Sequence, residues 1–468
     1  MEIRDVLHGS VTIEPQERAV LDSRYFQRLR SIRQLGFAEY SYPSATHNRY
    51  VHSLGAMQVA TQAFETIFGG PETLPAQDAH DRLLLSRTNP EAFARFRAVV
   101  RLASMLHDVG HGPLSHTTEF AMPELRKLKL PEWTGLAAGE RKANHEDYTL
   151  KIILDSGLTK ILERAGEKFG FRPKHVAALI EPKLPIDDEF FLEPLGAAGK
   201  EPSASPGGKK IDFRPILQQL ISSELDADRM DYLRRDSLFA GVSYGQFDFD
   251  WLVGNLTSHV HQGKAYLSLQ HRALYAFEDF LISRFNMFLM VYLHYKSIVF
   301  DEMLGQYFAS APGEYALPAD IETYCEAGDA QLYGTLAKSK NEWARRITDK
   351  RPYRMLIELH SGIPAGKASA EKQEKILREL KAKLAAKGVH YLEANVSGEL
   401  SKYFRKPGDP IFVRYDNHFS DPSYIPLEKC TDLFEKYSEK RSITRLYVAP
   451  EVYAECAALG RGTTLLDA

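Results

Sequence analysis

Apolar residues recur with helical spacing through most of the amino-terminal part of the chain. In VLDSRYFQRLRSIRQLG, the residues Leu21, Tyr25, Phe26, Leu29 and Ile32 fall on one stripe, as in a helix that faces a core. The same spacing predicts further helices in SLGAMQVATQAFETIF, EAFARFRAVVRLASMLHD, HEDYTLKIIL, ISSELDADRMDYLRRD and ALYAFEDFLISRFNMFLMVYLHYKSIVFDEMLGQYF. We therefore expect a mainly α fold with a helical body.

The pattern changes after about residue 315. A charged helix is predicted near AEKQEKILRELKAKLAAKG, flanked by the strand-like segments RMLIEL, HYLEANV, IFVRY and RLYVAP. We therefore predict a helical domain over residues 1–315 and a smaller α+β carboxyl-terminal subdomain over residues 316–468. Polar stretches near residues 70–95 and 194–210 are interpreted as insertions, and the second, PLGAAGKEPSASPGGKK, has the composition of a surface loop.

Composition and charge restrict the classes of function. With 468 residues, 44% hydrophobic and 26% charged, the chain can bury a large core. The formal net charge of -3 gives no overall basic field, so a polynucleotide partner is unsupported and phosphate chemistry must use locally clustered arginine and lysine. Cys325, Cys430 and Cys456 lie far apart without CxxC spacing, which fits a reducing cytoplasm. No secretory signal and no apolar run long enough to span a bilayer is found, so we expect a cytoplasmic protein without membrane contact.

The segment LASMLHDVGHGPLSH carries the most specific chemical signal. It places His107 and Asp108 side by side at the end of an apolar helix, where they offer a hard metal an imidazole and a carboxylate ligand. A His-Asp pair alone is more often structural. This pair is accompanied upstream by His52, which opens a helix in HNRYVHSLGAMQVA, and downstream by Asp228 in SSELDADRMDYLRRDS. Together the four residues form a candidate metal-binding set.

Six segments, taken in order, resemble the HD superfamily. They are DVLHG, FQRLRSIRQLG, YPSATHNRYVHSLG, HDVGHGPLSH, LDADRMDYLRRD and the region Tyr292–His294, and they cover roughly residues 3–305 apart from the two insertions. Within the superfamily the chain resembles the dNTP triphosphohydrolases, including the animal enzymes that join a sterile alpha motif to an HD domain. The resemblance implies a helical HD domain whose metal ligands are His52, His107, Asp108 and Asp228. Such a set suits iron, manganese, zinc, nickel or cobalt, and magnesium could accompany the substrate phosphates.

The helix that carries Asp228 can present several polar groups on one face. Tyr232 and Asp236 follow Asp228 at i+4 and i+8, and Arg229 lies beside them. From the residues alone, an ordinary solvated face with alternating charges is the favoured interpretation of this pattern. The resemblance implies that Arg229 and Tyr232 contact phosphate oxygens and that Asp236 accepts the sugar 3′-hydroxyl.

The resemblance implies further substrate contacts. Arg49 and Arg284 match positions at which the family places arginine on the phosphates, a role that suits the planar guanidinium fork. The residues implied around the deoxyribose are Gln34, Leu35, Asp236 and Tyr292. Leu35 and Tyr292 would fill the space that a 2′-hydroxyl needs, so ribonucleotides are expected to be poor substrates. Leu293 departs from the family, because animal members carry a glutamine there.

Three further histidines, His111, His116 and His145, could each be satisfied within the core. The resemblance instead places His111 and His116 near the α-phosphate. It implies that Glu119 and His145 form an acid-base relay that protonates the departing 5′-oxygen. A carboxylate near His116 would raise its pKa and keep it protonated for that task.

The implied reaction is attack of water, activated by the metal, on the α-phosphorus of a dNTP, which releases deoxynucleoside and tripolyphosphate. The sequence contains neither a P-loop nor an HExxH motif. Other HD activities stay open: a nucleoside monophosphatase, a guanosine-tetraphosphate hydrolase, or a cyclic-dinucleotide phosphodiesterase, although the GYP motif of the last is missing. From another class, the chain could be a silent nucleotide sensor or a nucleic-acid-binding nuclease, but Arg28, Arg30 and Arg33 are too few to establish a basic groove.

A regulatory site is implied by Asp22, Gln27 and Arg30. They match the positions that recognise an activating guanine nucleotide between subunits of the regulated dNTP hydrolases. A carboxylate suits the N1 and N2 donors of guanine, and an amide with a guanidinium suits its acceptors or the phosphates. From helix rules alone, Asp22 caps a helix and the other two coat its solvent face. The resemblance therefore implies a homo-oligomer, a dimer or tetramer, that GTP or dGTP activates.

Overall fold

The computed structural model of the protein describes residues 1–69, 83–136, 140–186, 188–194, 210–361, 367–398, 409–436 and 441–460. The fold is mainly α with small sheets, as the sequence predicted. The α-helices of the described residues are α1 (Pro15–Leu21), α2 (Arg24–Gln27), α3 (Arg49–Phe68), α4 (Leu85–Thr88), α5 (Pro90–Leu106), α6 (His145–Leu154), α7 (Gly157–Gly166), α8 (Pro173–Ile180), α9 (Arg214–Ile221), α10 (Ala227–Ala240), α11 (Phe249–Gly254), α12 (Leu274–Met287), α13 (Tyr295–Ser310), α14 (Ile321–Tyr324), α15 (Asp329–Lys338), α16 (Glu342–Thr348), α17 (Lys367–Ala386), α18 (Leu433–Lys436) and α19 (Tyr453–Gly460).

The strands are short. They are β1 (Glu2–Asp5), β2 (Gly9–Thr12), β3 (Leu192–Pro194), β4 (Lys210–Asp212), β5 (Leu256–His261), β6 (Lys264–Gln270), β7 (Arg354–Ser361), β8 (Tyr391–Gly398), β9 (Phe412–Tyr415), β10 (Ser423–Pro426) and β11 (Arg441–Val448). The four carboxyl-terminal segments predicted as strands therefore form strands, and the predicted charged helix forms α17.

Local capping sets the start of two helices that carry metal-ligand candidates. Asn48 caps α3 and Asp226 caps α10, and each side chain accepts a hydrogen bond from the backbone N–H three residues further on. His52 and Asp228 consequently lie near the amino-terminal ends of their helices. The third helix, α5, ends immediately before His107. Three helix ends thus deliver the candidate ligands.

The core packs these helices together. Helix α3 contacts both α5 and α10, and most of its side chains are buried. Leu54, Met57 and Phe64 of α3 share one continuous apolar cluster with Phe96 and Val100 of α5. Burial of each such large side chain contributes on the order of 1.5–3 kcal/mol to the free energy of unfolding. The helix ends that bear the ligand candidates are therefore anchored in the most densely buried part of the molecule.

Two segments that the sequence predicted as single helices are divided, so the prediction is wrong there. VLDSRYFQRLRSIRQLG forms α1, α2 and the 3-10 turn Arg28–Ser31. The break falls at Ser23, whose hydroxyl accepts from the backbone N–H of Phe26 and starts a new helix. The long segment predicted near the end of the helical body runs from α12 into the π-helical turn Phe288–Tyr292, and the His294 side chain then caps α13.

Strands from distant parts of the chain form two main sheets. The larger sheet has the order β10-β9-β6-β4-β3, with β5 antiparallel to β6. Strand β9 pairs in parallel with β6, so the predicted IFVRY strand extends a sheet that earlier residues begin. The other sheet, β7-β11-β8, is antiparallel. Leu380 and Leu384 of α17 pack with Leu446 and Val448 of this sheet, which forms the smaller α+β part. The domain boundary near residue 315 stays a prediction.

The two predicted insertions fall partly outside the described residues. Of the first, residues 70–82 are not described, and the remainder forms α4 and the beginning of α5. Of the second, residues 195–209 are not described, while the flanking strands β3 and β4 pair antiparallel. Among the described helices, none has both the length and the apolar character needed to cross a membrane.

Candidate active site

The four metal-ligand candidates face one another where α3, α5 and α10 meet. The Nε2 atom of His52 lies 3.0 Å from Oδ1 of Asp228 and 3.5 Å from Oδ2 of Asp108. The Nε2 atom of His107 lies 3.4 Å from Oδ1 of Asp108 and 3.4 Å from Oδ1 of Asp228. Histidine and aspartate side chains that could hold a metal ion are thus assembled, with two ε-nitrogens and two carboxylates around one point.

The hydrogen bonds of the two δ-nitrogens leave both ε-nitrogens available to a metal. The Nδ1 atom of His107 lies 2.7 Å from the carbonyl oxygen of Ser104. A carbonyl can only accept, so a neutral His107 carries its proton on Nδ1 and its lone pair on Nε2. The Nδ1 atom of His52 donates in the same way to Oδ2 of Asp231 at 2.9 Å. Neither buried ε-nitrogen has a hydrogen-bond partner among the described residues. These side chains therefore fit a divalent metal.

The charges of the cluster also suit a cation. Burial disfavours the charged form of His52, but the carboxylates of Asp228 and Asp231 outweigh it and raise the pKa of His52 to about 10, so a metal that binds at Nε2 would displace a proton from this ring. Burial likewise opposes ionisation of Asp108, yet Arg49 and the neighbouring histidines hold its pKa well below the usual range. Both candidate carboxylates are therefore ionised near neutral pH, the form that binds a metal.

A buried carboxylate that the sequence analysis did not single out orients His52. Besides accepting from His52, Asp231 pairs with Nε2 of His8 at 2.7 Å and accepts from Nε of Arg235 at 2.8 Å. Arg235 in turn donates to Asp5 at 2.8 Å. Asp5 and His8 both belong to the DVLHG segment, so this motif supports the orientation of His52 through Asp231 and Arg235.

Two glycines allow helices to approach this cluster closely. A Cβ atom at Gly55 of α3 would lie 2.0 Å from Oδ1 of Asp231 on α10. A Cβ atom at Gly110, in the turn after the HD pair, would lie 2.2 Å from the carbonyl oxygen of His145 on α6. Any side chain at either position would push the neighbouring helix away from the site.

The four catalytic candidates also assemble. The rings of His111 and His145 stack with centroids 3.8 Å apart, and Nε2 of His111 lies 3.3 Å from Oδ1 of Asp108. The Oε1 atom of Glu119 lies 2.6 Å from Nδ1 of His145 and 3.2 Å from Nδ1 of His116. Burial opposes ionisation of Glu119, but hydrogen bonds from both histidines lower its pKa to about 2. Burial holds the pKa of His111 well below its usual value, so this ring is neutral. An ionised carboxylate therefore supports two imidazoles beside the metal-ligand candidates.

An unusual backbone turn immediately precedes His116. The preceding residues Leu114 and Ser115 have φ angles of 54° and 59°, in the left-handed region that side chains other than glycine disfavour. The backbone N–H of Leu114 donates to Oδ1 of Asp329 at 2.8 Å, and Oγ of Ser115 donates to the carbonyl oxygen of Arg33 at 2.6 Å. The surrounding structure thus holds a strained turn at the site.

Arginines that the sequence analysis weighed as a basic cluster have structural roles. Arg28 is buried and donates to the carbonyl oxygens of Val109 and His111 at 3.0 and 2.8 Å. Arg33 forms an ion pair with Glu39. The Arg28 hydrogen bonds stabilise the turn that follows the HD pair. Both guanidinium groups are thus engaged in contacts within the protein.

A cavity of about 470 Å³ is lined by the metal-ligand candidates Asp108 and Asp228, by three of the four catalytic candidates and by most of the proposed substrate contacts. His52, His107 and Glu119 are not among the described residues that line it. Predicted site residues that line it are Gln34, Leu35, Arg49, Asp108, His111, His116, His145, Asp228, Tyr232, Asp236 and Tyr292. Its volume is in the range of small-molecule sites, so it can hold a nucleotide-sized ligand.

The proposed sugar contacts form a connected group. The hydroxyl of Tyr292 donates to Oδ2 of Asp236 at 2.8 Å, and Nε2 of His47 lies 2.7 Å from Oδ1 of Asp236. Burial, reinforced by Asp236, holds the pKa of Tyr292 well above its usual value, so the phenol remains a donor. The sequence did not single out His47 as a site residue, although this histidine lies inside the segment YPSATHNRYVHSLG.

The three arginines proposed for the phosphates differ in position. Arg49 is buried, forms an ion pair with Asp108, and lines the cavity. Arg229 donates to Asp226 at 2.6 Å, and Arg284 donates to Glu224 at 3.1 Å. Neither of these two side chains is among the described residues that line the cavity.

The proposed regulatory residues lie together near the end of α1. Asp22 is exposed and forms an ion pair with Arg18 at 3.8 Å. The Nε2 atom of Gln27 donates to the carbonyl oxygen of Leu21 at 2.8 Å, and Nε of Arg30 donates to Oε1 of Gln27 at 2.8 Å. Gln27 and Arg30 therefore contact each other, whereas the Asp22 side chain pairs with Arg18.

Known proteins resemble this chain in sequence and fold. No protein-family model matches it. It is 27% identical over 355 residues to an uncharacterized protein of Methanocaldococcus jannaschii, across 76% of this chain and 59% of that protein. It is 24% identical over 397 residues to human deoxynucleoside triphosphate triphosphohydrolase SAMHD1, across 81% of this chain and 56% of that protein. The chain thus spans about half of the length of the curated relatives it matches.

Solved structures share the fold over nearly the whole chain. A hypothetical protein from Aquifex aeolicus matches with a TM-score of 0.67 and 25% identity, across 98% of this chain and 99% of that one. A phosphohydrolase from Bacteroides thetaiotaomicron matches with a TM-score of 0.62 and 19% identity, across 96% and 99%. The resemblance that the motifs indicated is confirmed by these relatives.

Proposed function

We propose that the protein, which resembles the HD-superfamily dNTP triphosphohydrolases, is a metal-dependent phosphohydrolase that cleaves dNTPs into deoxynucleoside and tripolyphosphate. The observation that carries the proposal is the convergence of His52, His107, Asp108 and Asp228, whose histidine ε-nitrogens have no partner among the described residues. This cluster borders a nucleotide-sized cavity lined by Asp236 and Tyr292. The relatives that are named for this activity make a phosphohydrolase the class of enzyme that fits best.

The proposed ligand set would hold divalent iron, manganese, zinc, nickel or cobalt. When bound, such an ion would supply Lewis-acid activation of water and neutralise charge at the α-phosphate. Magnesium is proposed to accompany the β- and γ-phosphates. The Arg49 guanidinium forms an ion pair with Asp108 and lines the cavity, so it is proposed to bind the transferred phosphoryl group.

Protonation of the leaving group is assigned to the histidine relay. Glu119 is ionised and accepts hydrogen bonds from Nδ1 of His145 and Nδ1 of His116, which fixes the orientation of these two imidazoles at the cavity wall. We propose that His116 or His145 gives a proton to the departing 5′-oxygen as the phosphorus–oxygen bond breaks. Water supplies the new oxygen on phosphorus, so the nucleoside leaves with its own 5′-oxygen and the three phosphates leave together.

The proposal is tested by a chromatographic screen of the purified protein against all dNTPs and NTPs, with several divalent metals. Tripolyphosphate and deoxynucleoside from dNTPs are the expected products. Inorganic phosphate alone, from nucleoside monophosphates, would indicate a monophosphatase. Pyrophosphate from guanosine tetraphosphate or shortened oligonucleotides would indicate the other activities that the sequence left open, and would contradict the proposal.

Discrimination against ribonucleotides is expected from the sugar contacts. Leu35 and Tyr292 line the cavity, and the Tyr292 hydroxyl is already committed to Asp236. A 2′-hydroxyl that lacks both space and a partner would lower kcat/KM for GTP relative to dGTP by roughly 5- to 150-fold. Leu35→Ala should narrow this ratio because it opens space. Equal kcat/KM values for GTP and dGTP in the wild type would contradict the assignment.

We further propose that a guanine nucleotide binds at Asp22, Gln27 and Arg30 and activates a homo-oligomer, a dimer or tetramer. Asp22 and Arg30 are exposed, and Arg30 donates to Gln27 at 2.8 Å, which supports a surface site. GTP or dGTP should therefore change the oligomeric state, measured by light scattering, and raise the rate of dNTP hydrolysis. Asp22→Ala should lose both responses. Arg18→Ala, which removes only the ion pair with Asp22, is the matched control and should respond as the wild type does. If neither GTP nor dGTP changed the oligomeric state or the rate of dNTP hydrolysis of the wild type, the proposal would be contradicted.

A further inference from the structure

The cavity has a second group of polar residues outside the proposed metal, catalytic and sugar contacts. Ser297 and Asp301 lie one turn apart on α13 and both line the cavity, so they share one helix face. Thr117, the residue after His116, also lines it and donates through Oγ1 to Oδ1 of Asp301 at 2.8 Å. A hydroxyl, a carboxyl and a second hydroxyl therefore form a small polar patch within the cavity.

Two members of this patch retain hydrogen-bonding capacity that the described residues do not use. Ser297 is 6% exposed, and its Oγ has no hydrogen-bond partner among the described residues. No salt bridge joins Asp301 to a cation in the described part of the chain, and burial raises the pKa of Asp301 to about 7. A buried hydroxyl without a partner is costly, and the half-buried Asp301 carboxyl has only the Thr117 hydroxyl as a donor among the described residues. A ligand that brings N–H donors would satisfy both groups and would favour the ionised form of Asp301, whose pKa burial otherwise raises.

The charge of Asp301 indicates which part of a nucleotide it would meet. A carboxyl group repels phosphates, and the sugar is assigned to Asp236 and Tyr292. The base remains. Phe37, Leu114 and Val291 also line the cavity, and such apolar surface suits the faces of a base.

The pattern of donors distinguishes the four bases. Guanine presents N1–H and N2–H side by side, and a carboxylate can accept both at once. Thymine presents one N–H between two carbonyl oxygens, which a carboxylate repels. Adenine and cytosine present an amino group beside a ring nitrogen that is itself an acceptor. Guanine is therefore the base that best matches a carboxylate held by Thr117.

We propose that Asp301, held by Thr117 and assisted by Ser297, reads the N1 and N2 edge of the substrate base and makes dGTP the preferred substrate. The inference rests on the proposed dNTP hydrolysis and assigns the base selectivity of that same cavity.

The test compares kcat/KM for dGTP, dITP and dTTP. Deoxyinosine triphosphate lacks only the 2-amino group, so the wild type alone reports on that contact without any change in the protein. We expect dGTP to exceed dITP and dTTP by about 10-fold or more, since a hydrogen bond to a charged group is lost in each case. Asp301→Asn keeps the size but turns an amide donor toward the base, and should lower the ratio of dGTP to dTTP by about 10-fold while dTTP hydrolysis persists.

Glu302→Gln is the matched control. It removes the neighbouring carboxylate on α13, which is not among the described residues that line the cavity, and should keep the wild-type ratios. Equal kcat/KM for dGTP and dTTP in the wild type, or an unchanged ratio in Asp301→Asn, would overturn the inference and leave dNTP hydrolysis standing. Failure to hydrolyse any dNTP would overturn both.

Discussion

Asp108→Ala and His107→Ala are each expected to abolish dNTP hydrolysis and to lower the bound metal. Each substitution removes one of the four proposed ligands, which lie within 3.5 Å of their neighbours, and it leaves the opposing charges poorly compensated. The fold should largely survive, because the helices are held by the apolar core rather than by the ligands. Metal content is measured by elemental analysis of the purified protein, and turnover by release of tripolyphosphate.

A control for the loss of a carboxylate is Asp188→Ala. Asp188 pairs with His175 at 2.9 Å and is not among the described residues that line the cavity. This variant should keep its metal and its activity. If Asp108→Ala also retained its metal and most of its turnover, the HD pair could not be the metal site.

Asp231→Ala is expected to weaken metal binding by about 10- to 100-fold, although Asp231 is not a proposed ligand. The carboxylate accepts from Nδ1 of His52 and so fixes which nitrogen presents its lone pair to the metal. Without it, His52 can rotate or change tautomer. The dissociation constant is measured by titration of the metal-free protein with manganese or cobalt, and circular dichroism checks that the helices persist.

His8→Gln provides the comparison for that measurement. Glutamine can still donate to Asp231 in place of the His8 ring, so this variant should bind metal nearly as the wild type does. Gly55→Ala should reproduce the weak binding, because its Cβ would overlap Oδ1 of Asp231 at 2.0 Å. A dissociation constant that is unchanged in Asp231→Ala would show that the orientation of His52 does not depend on this carboxylate.

The sequence was sufficient to predict the residues whose signal is local. His107 and Asp108 are adjacent in the sequence, and His52 and Asp228 each follow a helix cap by a few residues. The motif and the start of the helix that carries it can therefore be recognised in the same short segment. The helical periodicity and the carboxyl-terminal strands were visible for the same reason. The break at Ser23 was not predicted, because a hydroxyl cap competes with a helix only through a local hydrogen bond that leaves the apolar stripe intact.

The residues that were missed act across long distances in the chain. His8 and Asp231 are separated by 223 positions, and His47 and Asp236 by 189. Thr117 and Asp301 are separated by 184 positions. Neither spacing nor periodicity relates such pairs, since they meet only when the segments that carry His8, His47 and Thr117 pack against α10 and α13. The tautomer of His52 and the polar patch around Asp301 therefore required the folded structure.

Hydrolysis of dGTP in oxygen-18 water, followed by mass spectrometry of both products, tests the proposed cleavage at the α-phosphorus. Attack on the α-phosphorus predicts one heavy oxygen in tripolyphosphate and none in deoxyguanosine. Release of dGMP with pyrophosphate, of dGDP with phosphate, or of deoxyguanosine that carries the heavy oxygen would contradict the account.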